Sequence, residues 1–217
     1  MDLTYRTVAC ALAAAVLAFT AHDAQARRRA APKQTEAPAQ AEPPTVQASA
    51  APRLVQKPQP KVSAERLEKA IHALINEERA AQGLKPLAWD GKLAAIARGH
   101  STDMAGRKYF SHASPEGANF DARYEKARYE CFVPVGDLIH GGAENIARDD
   151  LYAKITTLAD KKFYDWHSEE ALARRAVEGW MKSPGHRRNI LTPFWGRQGI
   201  GVIITPEFQV YLTEDFC

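Results

Sequence analysis

Residues 199–216 read Gly-Ile-Gly-Val-Ile-Ile-Thr-Pro-Glu-Phe-Gln-Val-Tyr-Leu-Thr-Glu-Asp-Phe. Two runs rich in β-branched and aromatic residues, Gly199–Thr205 and Phe208–Phe216, flank a Pro206-Glu207 turn. This pattern predicts an antiparallel hairpin. The chain before it shows helical spacing, with no alternation of strands and helices. The sequence therefore predicts a layered α+β domain and not a doubly wound parallel sheet.

Four helices are predicted upstream of the hairpin. Apolar residues at helical spacing, polar N-caps and Gly or Pro stops place them at residues 63–83, from 90 to about 106, 119–129, and from 168 until Pro184-Gly185 ends the last one. The glycine-rich and proline-containing region from Cys131 to Gly142 is predicted to be loop. The folded part, residues 63–217, is long enough to bury its own core.

The N-terminal quarter has the composition of a targeting segment and a linker. Residues 1–26 hold Arg6, the apolar run Val8–Ala21 and a small-x-small site at 24–26, and we interpret them as a cleaved signal peptide. An uncleaved anchor is the alternative, but the run is shorter than the ~20 residues that span a bilayer. Residues 27–62, rich in Pro and Ala, are predicted to be a disordered tether.

Charge and location follow from this division. The tether holds seven basic and two acidic residues, which accounts for the net charge of +3 of the whole chain. It either touches an anionic envelope surface or only solubilises the domain. The domain has no basic stripe or motif typical of nucleic-acid binding. We expect an exported monomer, periplasmic or extracellular, without a transmembrane segment.

Two cysteines remain after the signal peptide. Cys131 and Cys217 are an even number in a chain bound for an oxidising compartment, so we predict that they form a disulfide. The alternative is a pair of free thiols.

Three segments place titratable side chains among turn-forming or aromatic residues. They are Phe110-Ser111-His112, Gly142–Ile146 and Trp180–Leu191, the last of which contains His186. Because loops on a rigid scaffold commonly carry function, these segments are the candidate site. His100 is instead predicted to be structural, on the inward face of the second helix and bonded to a neighbouring loop.

These segments and several others resemble a known family. In chain order they are Asn76-Glu77-Glu78-Arg79, Leu84–Asp90, His100-Ser101 with Asp103-Met104, Phe110–His112, Glu144–Ile146, Trp180 with Ser183–Arg187, Gly199–Val202 and Tyr211–Phe216. Together, across Leu67–Phe216, they resemble the superfamily of cysteine-rich secretory, antigen 5 and pathogenesis-related proteins (CAP, or SCP-like) in its compact bacterial form.

The resemblance implies a three-layer α-β-α sandwich with a small antiparallel sheet. It also implies a cleft of two histidines and acidic residues that holds a divalent metal ion in some members. Matched to this chain, the cleft residues and metal ligands are His112, Glu144 and His186. Asn145 either orients the cleft or closes a turn. Ser183 stands where the family has a second glutamate, which favours zinc, with three protein ligands, over calcium, which takes six to eight oxygens.

The same residues also allow a structural interpretation, in which both histidines fix loop ends and Glu144 accepts hydrogen bonds from backbone amides. No nucleophile elbow or His-Glu-x-x-His helix is present. We therefore expect a non-enzymatic module that binds a small molecule, a lipid or a cell-envelope component. A zinc-dependent hydrolase, with Glu144 as its base if only the histidines bind metal, is the alternative. A structural or adhesion module is the third hypothesis.

Overall fold

The computed structural model describes residues 54–217, so the predicted signal peptide and most of the predicted tether lie outside the described residues. The helices are α1 (Ala64–Ala81), α2 (Gly91–Arg107), α3 (Phe120–Lys126), α4 (Glu169–Lys182) and α5 (Pro184–Leu191). The strands are β1 (Ala88–Trp89), β2 (Val133–Val135), β3 (Leu138–His140), β4 (Ala143–Asp150), β5 (Tyr152–Leu158), β6 (Lys161–Trp166), β7 (Arg197–Ile204) and β8 (Gln209–Phe216).

The helices begin where the sequence places their caps. The side chain of Ser63 accepts a hydrogen bond from the Arg66 backbone N–H, and Asp90 accepts from the first amides of α2. Ser168 caps α4 in the same way. These caps satisfy amides that have no partner inside a helix. The third helix also exists, but it ends at Lys126, three residues earlier than predicted.

The principal sheet has the strand order β1-β7-β8-β4. Strands β7 and β8 form the predicted antiparallel hairpin, and β4 pairs antiparallel with the other edge of β8. The two-residue strand β1 pairs parallel with β7, which makes the sheet mixed. The predicted α+β class is confirmed.

Helices cover both faces of this sheet. Helix α2 packs against β7 and β8 on one face. On the other face, α1, α4 and α5 share a core with alternate residues of β7 and β8, including Ile200, Val202 and Leu212. Trp180 of α4 is fully buried in this core, as expected for a packing residue.

Two parts of the chain differ from the sequence prediction. The predicted loop between Cys131 and Gly142 contains the β2–β3 hairpin, and the prediction also missed strands β4, β5 and β6. Pro184 does end α4, but it also begins α5. Proline is tolerated in the first turn of a helix because the backbone N–H groups there have no acceptor within the helix. His186 is therefore a helical residue.

The predicted disulfide joins Cys131, just before β2, to Cys217, just after β8. It closes a loop of 86 residues, for which chain entropy gives a stabilisation of about 3–5 kcal/mol. The last residues of the predicted tether, from Leu54 on, lack regular secondary structure, and the Trp166 indole N–H donates to the Lys57 carbonyl. Within residues 54–217, no helix has the length and apolarity of a membrane crossing.

The closest approach between layers occurs where α2 crosses β7. A Cβ on Gly199 would lie 2.0 Å from the Ala94 nitrogen, and one on Gly201 would lie 2.0 Å from the Arg98 nitrogen. Backbone atoms cannot rotate away as a side chain can. Only glycine allows the helix to rest directly on the strand at these two positions.

We therefore expect Gly201→Ala to lower the free energy of unfolding by about 3 kcal/mol or more, because α2 must lift off the sheet. The matched control is Gly99→Ala on the exposed side of α2, where a Cβ meets nothing within 4 Å and alanine should stabilise the helix by up to about 1 kcal/mol. Urea unfolding of both variants measures the difference. A loss below about 1 kcal/mol for Gly201→Ala would contradict the close-packing account.

Candidate functional site

His112 lies in the loop between α2 and α3, and 51% of its side chain is exposed. Its Nδ1 is 2.8 Å from Glu144 Oε1. Because an ionised carboxylate can only accept hydrogen bonds, Nδ1 donates, and Nε2 of the neutral ring is left as an acceptor. The ring is thus oriented from behind by Glu144 and presents its other nitrogen outward.

Glu144 lies on β4, at the bottom of the cleft, with 1% of its side chain exposed. Its second oxygen accepts from the guanidinium of Arg123, on α3. Arg123 also donates to the carbonyls of His112 and Ala118. Both oxygens of Glu144 are therefore engaged, one by an imidazole and one by a cation.

His186 is the third residue of α5, and its ring centroid lies 6.1 Å from that of His112. Partial burial lowers the pKa of His186, and the neighbouring His112 lowers it further. The two predicted site histidines are therefore neighbours in the structure.

Asn145 does not line this cleft. It is fully buried in strand β4, not in a turn, and since strand side chains alternate, it points to the opposite face from Glu144. Its amide donates to the His186 carbonyl and accepts from Asn189 Nδ2. Asn145 therefore holds α5, and with it His186, against the sheet.

Ser183 lies at the junction of α4 and α5, one turn before His186. It occupies the N-cap position of α5, but its side chain makes no capping hydrogen bond. It is half-buried beside His186, in the groove that adjoins the cleft. The position expected for a fourth acidic residue thus contributes a neutral hydroxyl.

The site contains residues that the sequence analysis missed. Arg123 had no motif context, although a buried carboxylate needs a compensating charge. Asp215 lies opposite Glu144 on β8 and is fully buried, and neither of its carboxyl oxygens has a partner within residues 54–217. Burial raises its pKa well above the usual range, and the negative charge of Glu144 raises it further. Knowledge that β4 pairs with β8, with Glu144 opposite Asp215, would have placed Asp215 at the site.

His100, predicted to be structural, borders the site from below. Its Nε2 lies 3.1 Å from the carbonyl of Ser111, so that nitrogen donates and the ring holds the loop that carries His112. The same nitrogen is 3.9 Å from Glu144 Oε2. Burial lowers the pKa of His100.

The predicted zinc site stays a prediction, and the structure shows which other contacts its predicted ligands make. Within residues 54–217, no three His, Cys, Asp or Glu side chains are placed to hold a metal ion. Glu144 is committed to His112 and Arg123, and the guanidinium adds a positive charge beside it. The imidazoles of His112 and His186 are the more exposed of the three predicted ligands.

Comparison with known proteins agrees with this fold. Residues 72–216 match the cysteine-rich secretory protein family, CAP. The chain is 33% identical to the uncharacterised protein YkwD of Bacillus subtilis over 63% of this chain and 42% of YkwD. It therefore spans less than half the length of that relative.

Solved structures include similar domains. An extracellular protein containing an SCP domain from Bacillus anthracis is 29% identical, with a TM-score of 0.49 over 70% of this chain and 40% of that one. An outer surface protein from Borrelia burgdorferi is 16% identical, with a TM-score of 0.52 over 71% of this chain and 94% of that one. The second likeness concerns the fold alone.

A buried carboxyl next to Asp215 provides a test of these contacts. Glu214 is fully buried, with Oε2 accepting from Asn145 Nδ2 at 3.1 Å and Oε1 without a partner in the described chain. Burial raises the pKa of Glu214 well above its usual value, although Asn145 and Arg79 act in the opposite direction. The folded state therefore holds this proton more tightly than the unfolded state, and stability is lost as pH rises above the unfolded pKa.

Glu214→Gln keeps the acceptor for Asn145 and cannot ionise. We expect the stability of this variant relative to wild type to increase between pH 5 and pH 8 by about 1 kcal/mol or more, since one pKa unit corresponds to about 1.4 kcal/mol. Urea unfolding at both pH values measures it, with Glu178→Gln on the exposed face of α4 as the control. An unchanged or falling relative stability would contradict the assignment.

Proposed function

The chain belongs to the cysteine-rich secretory protein family, and on that premise we propose that it is an exported, non-enzymatic module that binds a ligand through the His112–Glu144–His186 cleft. The signal peptide predicted from the sequence and the disulfide of this chain both support a location outside the cytoplasm. Periplasm and medium are equally compatible with these observations.

The observation that carries the proposal is the engagement of both Glu144 oxygens. A general base needs a free lone pair aimed at the reacting proton, and a metal ligand needs one aimed at the ion. Glu144 instead uses one oxygen to orient His112 and the other to bind Arg123. It is a positioning residue behind the partly exposed imidazole of His112.

The groups that face a ligand define what the cleft can bind. His112 and His186 each supply a ring nitrogen that can form one hydrogen bond with a ligand, and Ser183 adds a hydroxyl. The charges of Glu144 and Arg123 largely cancel at the base. This chemistry suits a polar but uncharged group, carried by a small molecule, a lipid or an envelope component.

A zinc hydrolase remains the second candidate because of one contact. A carboxylate that orients an imidazole through Nδ1 is the usual arrangement behind a metal-binding histidine. His112 and His186 would supply two ligands, and zinc, if bound, would act as a Lewis acid there. Arg123 opposes this role, since its positive charge lies beside the Glu144 oxygen that a third ligand would use.

The ligand proposal is tested by native mass spectrometry of the protein purified from its own cell envelope. We expect a bound adduct in the wild type that is lost when His112→Ala and His186→Ala are combined, because both polar contacts disappear. His167→Ala, outside the cleft, is the control and should keep the adduct. A wild type without adduct, or an adduct that survives the double substitution, would refute the cleft as the ligand site.

The affinity of the cleft for zinc is tested by isothermal titration with zinc chloride. Arg123→Gln should bind zinc at least tenfold more tightly than wild type, because it frees a Glu144 oxygen and removes a like charge. Arg107→Gln, whose guanidinium pairs with Asp103 and Glu116 instead, is the matched control and should behave as wild type. Equal, tight binding by wild type and Arg123→Gln, with zinc-dependent cleavage of casein, would favour the hydrolase.

A further inference from the structure

A groove of about 390 Å³ adjoins the cleft and runs along one strand. Four consecutive residues of β4, Ile146–Asp149, form one wall, and α4 forms the other with Ala176, Gly179 and Trp180. Ser183 and His186 close the end that meets the cleft. Because side chains alternate along a strand, four consecutive residues can line one groove only where it follows the strand's edge. Strand β4 is indeed one of the two edge strands of the principal sheet.

The pairing of β4 with β8 shows which backbone groups point into this groove. The Trp180 indole donates to the Ile146 carbonyl and Asn189 donates to the Glu144 carbonyl, so even-numbered residues direct their carbonyls away from β8. Leu151, an odd-numbered residue, donates its N–H to Phe208 at the continuation of β8. Alternation then directs the N–H and C=O of Arg148 outward, into the groove.

These outward groups are open to a partner. Within residues 54–217, neither the N–H nor the C=O of Arg148 is bonded by a side chain or a loop. Natural proteins usually cover or charge such an edge, since it pairs readily with another extended chain. Here α4 and α5 cover the edge near Glu144 and Ile146 but leave Arg148 uncovered.

The charge at the groove selects among extended chains. The Arg148 guanidinium lies 5.5 Å above the Phe110 ring and has no carboxylate partner in the described part of the chain. Arg175, the other cation of the groove, is held by both oxygens of Asp149. The mouth of the groove therefore carries one uncompensated positive charge beside an apolar ring.

Space for a side chain is present on the helical wall. A Cβ on Gly179 would meet nothing within 4 Å. Glycine inside a helix costs about 1 kcal/mol relative to alanine, and here it leaves the helical wall of the groove open.

We propose that this groove binds an extended acidic peptide segment, which adds to β4 as a further strand. The peptide backbone pairs with the N–H and C=O of Arg148, one side chain enters the space beside Gly179, and a carboxylate binds the Arg148 guanidinium. Strand addition of this kind takes its affinity from main-chain hydrogen bonds and its selectivity from alternate side chains. The inference goes beyond the proposed function, because the groove adjoins the histidine cleft but binds a ligand of its own.

The test uses the exported full chain and a fluorescein-labelled peptide of alternating valine and glutamate, followed by fluorescence anisotropy. Two N-methylated peptides, one methylated on the valine amides and one on the glutamate amides, keep every side chain. Only one of the two amide sets faces β4, so we expect one methylated peptide to bind at least tenfold more weakly and the other to bind as the parent does. Equal binding by all three peptides, or no binding, would overturn the proposal.

Three variants locate the contact on β4 and α4. Arg148→Pro removes the outward N–H, which an edge strand tolerates because that N–H does not pair with β8. Arg148→Gln removes the guanidinium but keeps the backbone N–H and C=O, and Gly179→Leu fills the groove. Each should weaken peptide binding at least fivefold while the thermal unfolding midpoint stays within a few degrees of wild type. Unchanged binding in Arg148→Pro would overturn strand addition. Strand addition would also be overturned if the fatty acid laurate displaced the peptide and N-methylation of the peptide had no effect on its binding.

Combining His112→Ala with His186→Ala separates this inference from the proposed function. These substitutions leave the edge of β4 intact, so peptide binding should persist within about threefold while the native adduct is lost. If the adduct is lost but no peptide binds to wild type, the cleft function stands and the strand-addition inference fails. If peptide binds normally and the adduct survives the double substitution, the inference stands and the cleft function fails.

Discussion

The close contact between α2 and β7 is the constraint on which the rest of the structure depends. Gly199 and Gly201 let the helix backbone rest on the strand, and Ser101 Oγ then donates to the Gly201 carbonyl at 2.9 Å. This contact sets the height of α2 above the sheet. It therefore places His100, and through the Ser111 carbonyl it places the loop that brings His112 over β4.

A second set of contacts, made by the C-terminal strand β8, positions Glu144 and Arg123. Strand β8 pairs with β4 and sets the register that puts Glu144 at the bottom of the cleft. The disulfide at its end packs with Tyr124 of α3, whose hydroxyl donates to the Phe216 carbonyl. Because Arg123 precedes Tyr124, this small core also positions the cation that binds Glu144. The cleft is thus a product of three-dimensional packing and not of any one motif.

The sequence predicted what depends on local patterns. Caps such as Ser63 and Asp90 and the terminal hairpin followed from residue type and spacing. The pairing of Cys131 with Cys217 followed from their even number in a chain predicted to be exported. Strand β4 did not, because Glu144-Asn145-Ile146 follows glycines and lacks a clear alternation. Arg123 and Asp215 were missed for the same reason: their importance depends on what β4 brings beside them. Once β4 is known to pair with β8, Glu144 is a buried carboxylate and requires a cation beside it. That cation is Arg123 on α3, the helix that precedes Cys131 in the chain.

The central claim is that Glu144 is committed to His112 and Arg123, and on that basis we propose that the cleft is a ligand site and not a metal centre. Long-range ¹H–¹⁵N correlation spectroscopy of the histidine rings at pH 8.5, where a free imidazole is neutral, tests it most directly. The account predicts that His112 is protonated at Nδ1, and that its ring signals are unchanged by EDTA. Protonation at Nε2, or ring signals that shift when EDTA removes a metal ion, would contradict it.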